Sequence, residues 1–119
     1  VSAPAVTTTQ KGAAAEQAVR SWCEAKGWIV LETNFARKVG EIDLIAMDGA
    51  TLVVAEVRSR QNGPVWVSPF ETVTHTKRRK IEHTTQRYLQ ETRLKAHAIR
   101  FDIFAWDGKT ITWMPRAWG

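Results

Sequence analysis

Apolar residues recur along this chain with two different periods, and the changes of period mark its elements. Ala15, Ala18, Val19, Trp22 and Cys23 fall at i, i+3, i+4, i+7 and i+8. That stripe predicts an amphipathic helix over about 12–26, closed by Gly27 as the glycine just past its end. Short apolar runs bounded by turn residues follow, predicting strands over 28–35 and near 41–47 and 51–59. The segment 61–69, with Asn62-Gly63-Pro64 and Ser68-Pro69, reads as a loop. A second, weaker helical stripe (Ile81, Thr85, Tyr88, Leu89) predicts a helix over about 74–92, and strands near 98–106 and 110–114 form a last hairpin around Asp107-Gly108. The order α-β-β-β-α-β-β has no internal repeat. Residues 11–119 therefore read as one α/β domain, and residues 1–10, rich in Thr, Ala and Pro, as a disordered arm.

Two of the strands contain carboxylates in otherwise apolar runs: Gly40-Glu41-Ile42-Asp43-Leu44-Ile45-Ala46 and Val54-Ala55-Glu56-Val57-Arg58-Ser59-Arg60. A buried, unpaired carboxylate is unfavourable by several kcal/mol, roughly, so a strand seldom carries one without a partner or a metal. Asp48-Gly49 between the runs is a strong hairpin signal. A two-residue loop there pairs Met47 with Ala50 and Asp43 with Val54, whereas a four-residue loop pairs Asp43 with Glu56. Either register puts Asp43, Glu56 and Arg58 on one sheet face, because side chains alternate with period two. Such a cluster is either a structural ion pair or a hard-cation site. In the second case Asp43, Glu56 and the Val57 carbonyl supply oxygen ligands for Mg²⁺ (or Mn²⁺), which is commonly held by one or two carboxylates plus waters and substrate phosphate.

These blocks, with Arg100-Phe101-Asp102-Ile103 further on, resemble the YraN-like family of predicted endonucleases, assigned to the PD-(D/E)XK nuclease superfamily with the Holliday-junction resolvases. The resemblance runs from about 11 to 113. It implies a restriction-endonuclease-like core with a mixed sheet flanked by helices. It also implies catalytic Asp43 and Glu56, with Glu16 in the first helix as the acid that completes such sites. The family motif ends Glu-x-Lys, and here Arg58 stands in the lysine position. Arginine is planar and effectively never deprotonated, so Arg58 can stabilise charge but cannot act as a base. Restoring lysine there is expected to raise metal-dependent activity.

Charge sharpens the picture. The formal balance is +5 over 119 residues. Residues 75–100 hold eight Lys/Arg against two acids, and the rest of the chain nine against ten, so all of the excess lies in that stretch. Lys77, Arg78, Arg79 and Lys80 crowd the start of the second helix, where the macrodipole disfavours positive charge. A polyanion would offset that placement, so these four, with Arg37 and Lys38 in the loop before the hairpin strands, are expected to bind DNA or structured nucleic acid. The alternative for such a run is an ordinary solvated face. One cysteine, Cys23, excludes an internal disulfide and a Cys-based zinc site and fits a reducing cytoplasm. No run approaches the roughly 20 apolar residues of a membrane span.

Remaining residues receive weaker assignments. His75, His83 and His97 lack metal-ligand spacing. Asp102 either joins the acidic cluster, pairs with a cation from the second helix or caps a sheet edge. Among six tryptophans, Trp22, Trp28 and Trp106 read as core; Trp66, Trp113 and Trp118 offer stacking surfaces for unpaired bases or a homodimer contact. Two function classes follow: a Mg²⁺-dependent endonuclease, or a nuclease fold whose chemistry has lapsed at Arg58 and which binds nucleic acid or a partner.

Overall fold

The computed structural model describes residues 8–59 and 68–119, with side chains from Gly12 onward. The expected element order is observed: α1 (Thr8–Ala25), β1 (Ile29–Arg37), β2 (Gly40–Asp48), β3 (Thr51–Ser59), a short 3₁₀ turn (Pro69–Thr72), α2 (His75–Thr92), β4 (Ala98–Trp106) and β5 (Ile111–Trp118). Helix α1 reaches back into the expected arm as far as Thr8. The rest of that arm, and Trp66 in the loop after β3, lie outside the described residues.

The strands lie in the order β1-β2-β3-β4-β5, antiparallel except for the parallel pair β3–β4, whose crossover contains α2. Alternation along the strands divides the core in two. Val53 and Ala55 join Leu44, Ala46, Trp28 and Phe104 against Val19 and Cys23 of α1. Leu52 and Val54 join Ile42, Ile45, Phe35 and Ile103 against Ile81 and Tyr88 of α2. Helices thus cover both faces, as a parallel strand pair requires. This is the mixed sheet with flanking helices expected of a restriction-endonuclease-like core.

Each helix is terminated by local chemistry. Gly27 takes φ 86°, its N–H donates to the Glu24 carbonyl, and the Trp28 N–H donates to that of Cys23. This double bond pattern needs a left-handed residue, hence glycine. Helix α2 starts at Thr74, whose hydroxyl accepts from the Lys77 N–H at 3.2 Å, and ends at Arg93 with φ 57°. Its buried stripe Ile81, Thr84, Thr85, Tyr88 contains two threonine hydroxyls, which donate back to the carbonyls of Lys80 and Ile81. Those bonds make the burial of two threonines tolerable.

Two details differ from the sequence expectation. The β2–β3 loop is Gly49-Ala50, with Asp48 paired to Thr51, one residue later than Asp48-Gly49. Gly49 alone takes positive φ, 61°, the pattern of a hairpin turn whose first central residue is glycine. Strand β5 continues to Trp118, past the expected end at 114. Pro115 suggests a terminator, but β5 is an edge strand, where proline is permitted. The ladder shifts there, Arg116 takes φ 51°, and its N–H is accepted by the Asp102 carboxylate instead of by the strand.

Candidate active site

The site forms where β2 breaks its alternation. Ile42 packs on the α2 side, yet Leu44, two residues on, packs on the α1 side; in a regular strand the two share a face. The irregularity is matched on β1. The pairs Thr33↔Leu44 and Phe35↔Ile42 place Asn34 opposite Asp43, and Asn34 takes φ 53°. Asparagine tolerates this left-handed conformation better than most residues. Local strain of this kind persists only where surrounding structure holds it. Gly40 does part of the holding: at φ 156° it starts β2 so close to α2 that a Cβ there would lie 2.8 Å from Thr84 Oγ1.

Asp43 and Glu56 then meet. Extending the β2–β3 register by one residue from Leu44↔Ala55 sets Asp43 opposite Glu56. The ladder has opened at this point, and Asp43 Oδ2 accepts the Val57 N–H at 2.8 Å. Glu56 is 3 % exposed, and its Oε2 is buried with no hydrogen-bond donor among the described residues. The Asp43 carboxyl lies within hydrogen-bonding reach of it. Two charged carboxylates side by side repel, which disfavours the ionised form of the more buried one. Burial, then the Asp43 charge and the shared bond, push Glu56 up to about 8, while Lys77 and Arg58 pull against that rise.

The two cations contact Glu56 from different elements. Arg58 Nη2, two residues along β3, is 3.7 Å from Glu56 Oε1, and its Nε is buried without an acceptor among the described residues. Lys77 Nζ, from the first turn of α2, is 3.9 Å from the same oxygen. Neither distance is that of a hydrogen bond. Arg58 therefore does not form a bidentate clamp on both acids.

Glu16 lies on the α1 side of this cluster. Its Oε2 accepts from Asn34 Nδ2 at 2.9 Å, and it lines a cleft of about 150 Å³ with Ala13, Gln17, Arg20, Thr33 and Asn34. Burial raises the Glu16 carboxyl, the Asn34 bond opposes this, and the charges of Asp43 and Glu41 add to it. Arg20, its i+4 neighbour, pairs with Glu24 instead. Among the described residues no three His, Cys, Asp or Glu side chains are grouped to hold a metal ion, so Glu16 does not complete a three-acid set with Asp43 and Glu56. Asp43 and Glu56 are oxygen donors of the kind that a hard cation such as Mg²⁺ takes.

The cations expected to bind nucleic acid are divided by the fold. Arg78 Nε donates to the Val73 carbonyl at 3.1 Å and its guanidinium lies over Trp118, so it braces the helix start. Arg37 forms a forked pair with Glu91, the shorter contact being 2.6 Å, and lies over Phe35. Arg79 and Lys80 are exposed, and His83 and Arg87 continue that face of α2. Lys38 is exposed in the β1–β2 turn.

Asp102 stands outside the acidic cluster. Fully buried, it receives Arg100 Nε, Trp113 Nε1 and the Arg116 N–H. The cation comes from its own strand and not from α2; the edge-capping expectation holds. Trp113 packs with Trp22, Trp28 and Phe104, and Trp118 stacks on Phe101 at 5.1 Å, so both serve the fold. Sequence reasoning missed Asn34 as the residue that holds Glu16. It also assigned Lys77 to the nucleic-acid surface without its contact to Glu56. The only sequence signal for the first is an Asn in the middle of a strand pattern.

Comparison with known proteins agrees with the resemblance. Residues 15–105 match the family described as "Uncharacterised protein family UPF0102". The chain is 39 % identical over 114 residues to the UPF0102 protein YraN of Salmonella agona, covering 94 % of this chain and 86 % of that one. The YraN proteins of Salmonella newport and Salmonella heidelberg are 38 % identical over the same length, with the same coverage.

Proposed function

Because the chain belongs to the UPF0102 family, whose description names no activity, we propose its function from the site: a divalent-metal-dependent nuclease hydrolysing phosphodiester bonds in DNA or structured nucleic acid. The observation that carries this reading is the Glu56 carboxylate oxygen, buried without a donor beside Asp43. Asp102, also buried in an apolar strand, is fully bonded. Arg100 Nη2 and Trp118 Nε1 are, like Glu56 Oε2, buried without a partner among the described residues, but Glu56 Oε2 is the one carboxylate oxygen of that group.

Asp43, Glu56 and the Val57 carbonyl would hold Mg²⁺ or Mn²⁺, which when bound supplies Lewis-acid stabilisation of the phosphate and a more acidic water. Asp43 is oriented for this by the Val57 N–H, which bonds to its Oδ2. Glu56 must release its proton on loading. Glu16, held by Asn34, adds negative charge beside Asp43 and can orient water. The exposed face of α2 leads away from the site and suits a phosphate backbone.

The test is cleavage of single-stranded, duplex and branched DNA and of folded RNA, with Mg²⁺ or Mn²⁺ against EDTA, by wild type and Asp43→Asn. Calorimetric titration with Mn²⁺ accompanies it. Metal-dependent cutting and Mn²⁺ binding, both lost in Asp43→Asn, are expected. Equal Mn²⁺ affinity in the two proteins would refute the site. Arg58 favours a second reading, since a guanidinium cannot replace a lysine that gives up a proton. Salt-sensitive nucleic-acid binding without cleavage by a metal-loaded protein would establish that reading instead.

A further inference from the structure

The four cations that open α2 have different surroundings, and one is unlike the rest. Arg78 is bonded to Val73 and covered by Trp118; Arg79 and Lys80 point to solvent. Lys77 alone reaches a buried acid. Its Nζ is 3.9 Å from Glu56 Oε1, outside bonding distance, and among the described residues none of its three N–H groups is hydrogen-bonded to protein. Its side chain is 37 % exposed, so the ammonium lies between solvent and the acid pair. Its backbone is fixed by the Thr74 cap, and the turn below by the Arg78 bond to Val73. The result is a half-exposed ammonium on a fixed backbone, beside the buried acid and with none of its donors bonded among the described residues.

Arg58 is placed differently. It is on the same strand as Glu56, its Nε is buried, and its side chain is 29 % exposed. Its charge serves to offset Glu56 from within the sheet.

We propose that Lys77 is the catalytic ammonium of this site, gripping a non-bridging oxygen of the scissile phosphate, and that Arg58 only neutralises Glu56. The inference rests on the nuclease reading above. Water adds across one P–O bond, giving a phosphate monoester and an alcohol, and Lys77 keeps its proton throughout. A substrate whose backbone follows the exposed face of α2 past Arg87, His83, Lys80 and Arg79 arrives at Lys77 as it reaches the acid pair. One helix thereby supplies both the docking surface and the catalytic charge. Lysine is therefore not missing from the site; it enters from α2 instead of from β3.

The test separates the rate of cleavage from the affinity for DNA, at saturating Mg²⁺. Lys77→Ala should lower the single-turnover rate by about 10²–10³-fold, the scale of losing one preorganised donor to a developing charge. DNA affinity should change by no more than a few-fold. Arg58→Ala should raise the Mg²⁺ needed for half-maximal rate but, at saturating Mg²⁺, cut faster than Lys77→Ala. Arg58→Lys should gain nothing, contrary to the expectation from the motif alone. Lys77→Cys should be slow and recover after aminoethylation, which rebuilds an ammonium at that position. Cys23 will not interfere because it is buried and its thiol is pushed up to about 12, chiefly by burial.

Three results overturn the inference: Lys77→Ala cutting at the wild-type rate, its defect being recovered by additional Mg²⁺, or Arg58→Ala abolishing cleavage while Lys77→Ala does not. The second would mean that Lys77 acts only through Glu56 and the metal. If metal-loaded wild type cuts none of the substrates, the nuclease reading itself fails and this inference with it. If wild type cuts and Lys77 variants cut equally well, only this inference fails.

Discussion

Replacing Glu56 by glutamine should stabilise the metal-free protein, increasingly as pH rises. Glutamine preserves shape and can donate to Asp43, so it mimics the protonated acid. The sign follows from linkage. The folded state holds the Glu56 proton up to about 8, whereas the unfolded chain releases it near 4.5. Between those values the folded state binds more protons, so stability is fully present below the lower pH and is lost as pH rises through the upper. At 1.36 kcal/mol per unit, the whole window corresponds to roughly 5 kcal/mol, an order-of-magnitude figure that relaxation of the site will reduce. Urea unfolding of wild type and Glu56→Gln at a series of pH values from 4.5 to 9, in EDTA, measures it. Groups remote from the site titrate alike in both proteins, so the difference reports Glu56 together with the charges that act on it. The gap should be near zero at the acid end and reach several kcal/mol by pH 8. Mg²⁺ at pH 8 should close it by stabilising wild type alone. Parallel stability curves would show that Glu56 is not held in its protonated form and that the donorless oxygen has a different explanation.

Other expectations are as direct. Replacing Arg79, Lys80 and Arg87 together by alanine should flatten the log–log salt dependence of duplex binding by up to about 0.9 for each phosphate no longer neutralised, whereas Arg78→Ala should lower stability with little change in slope. An unchanged slope in the triple variant would place the nucleic acid elsewhere. Asp102→Ala should destabilise by up to about 3–5 kcal/mol, because it leaves Trp113 Nε1 and the Arg116 N–H without an acceptor and Arg100 with Asp48 as its remaining carboxylate. Thermal or urea unfolding near the wild-type midpoint would contradict that role.

Sequence expectation and structure part most clearly at the β2–β3 hairpin. Alternation and Asp48-Gly49 made the two strands and their turn region legible. The turn uses Gly49-Ala50, however, and the ladder, with Leu44 opposite Ala55, follows the register expected for the four-residue loop and not that expected for Asp48-Gly49. The shared face survived because moving a turn by one residue moves each pairing by two, and side chains repeat every two. The kink at Asn34 and Asp43 was not legible, since it arises where β2 lies against α2 at Gly40 and where Asn34 reaches Glu16. Those contacts join residues far apart in the chain.

What the sequence determined by itself was local: which runs are strands, where each helix stops, that two acids share a hairpin, and that the cationic excess lies in residues 75–100. These depend on backbone preference and on periods of two and 3.6 residues, which are written in consecutive positions. Only the tertiary structure decided what each charge does. Asp102 and Glu56 look alike in their strands, yet β5 supplies the donors that satisfy Asp102, and nothing comparable reaches Glu56 Oε2 among the described residues. Lys77 to Lys80 look alike as a run, yet successive residues turn about 100° around a helix axis. That rotation sends one cation to the acid pair, one under Trp118 and two to solvent, because the sheet and β5 lie on some sides of α2 and water on the others.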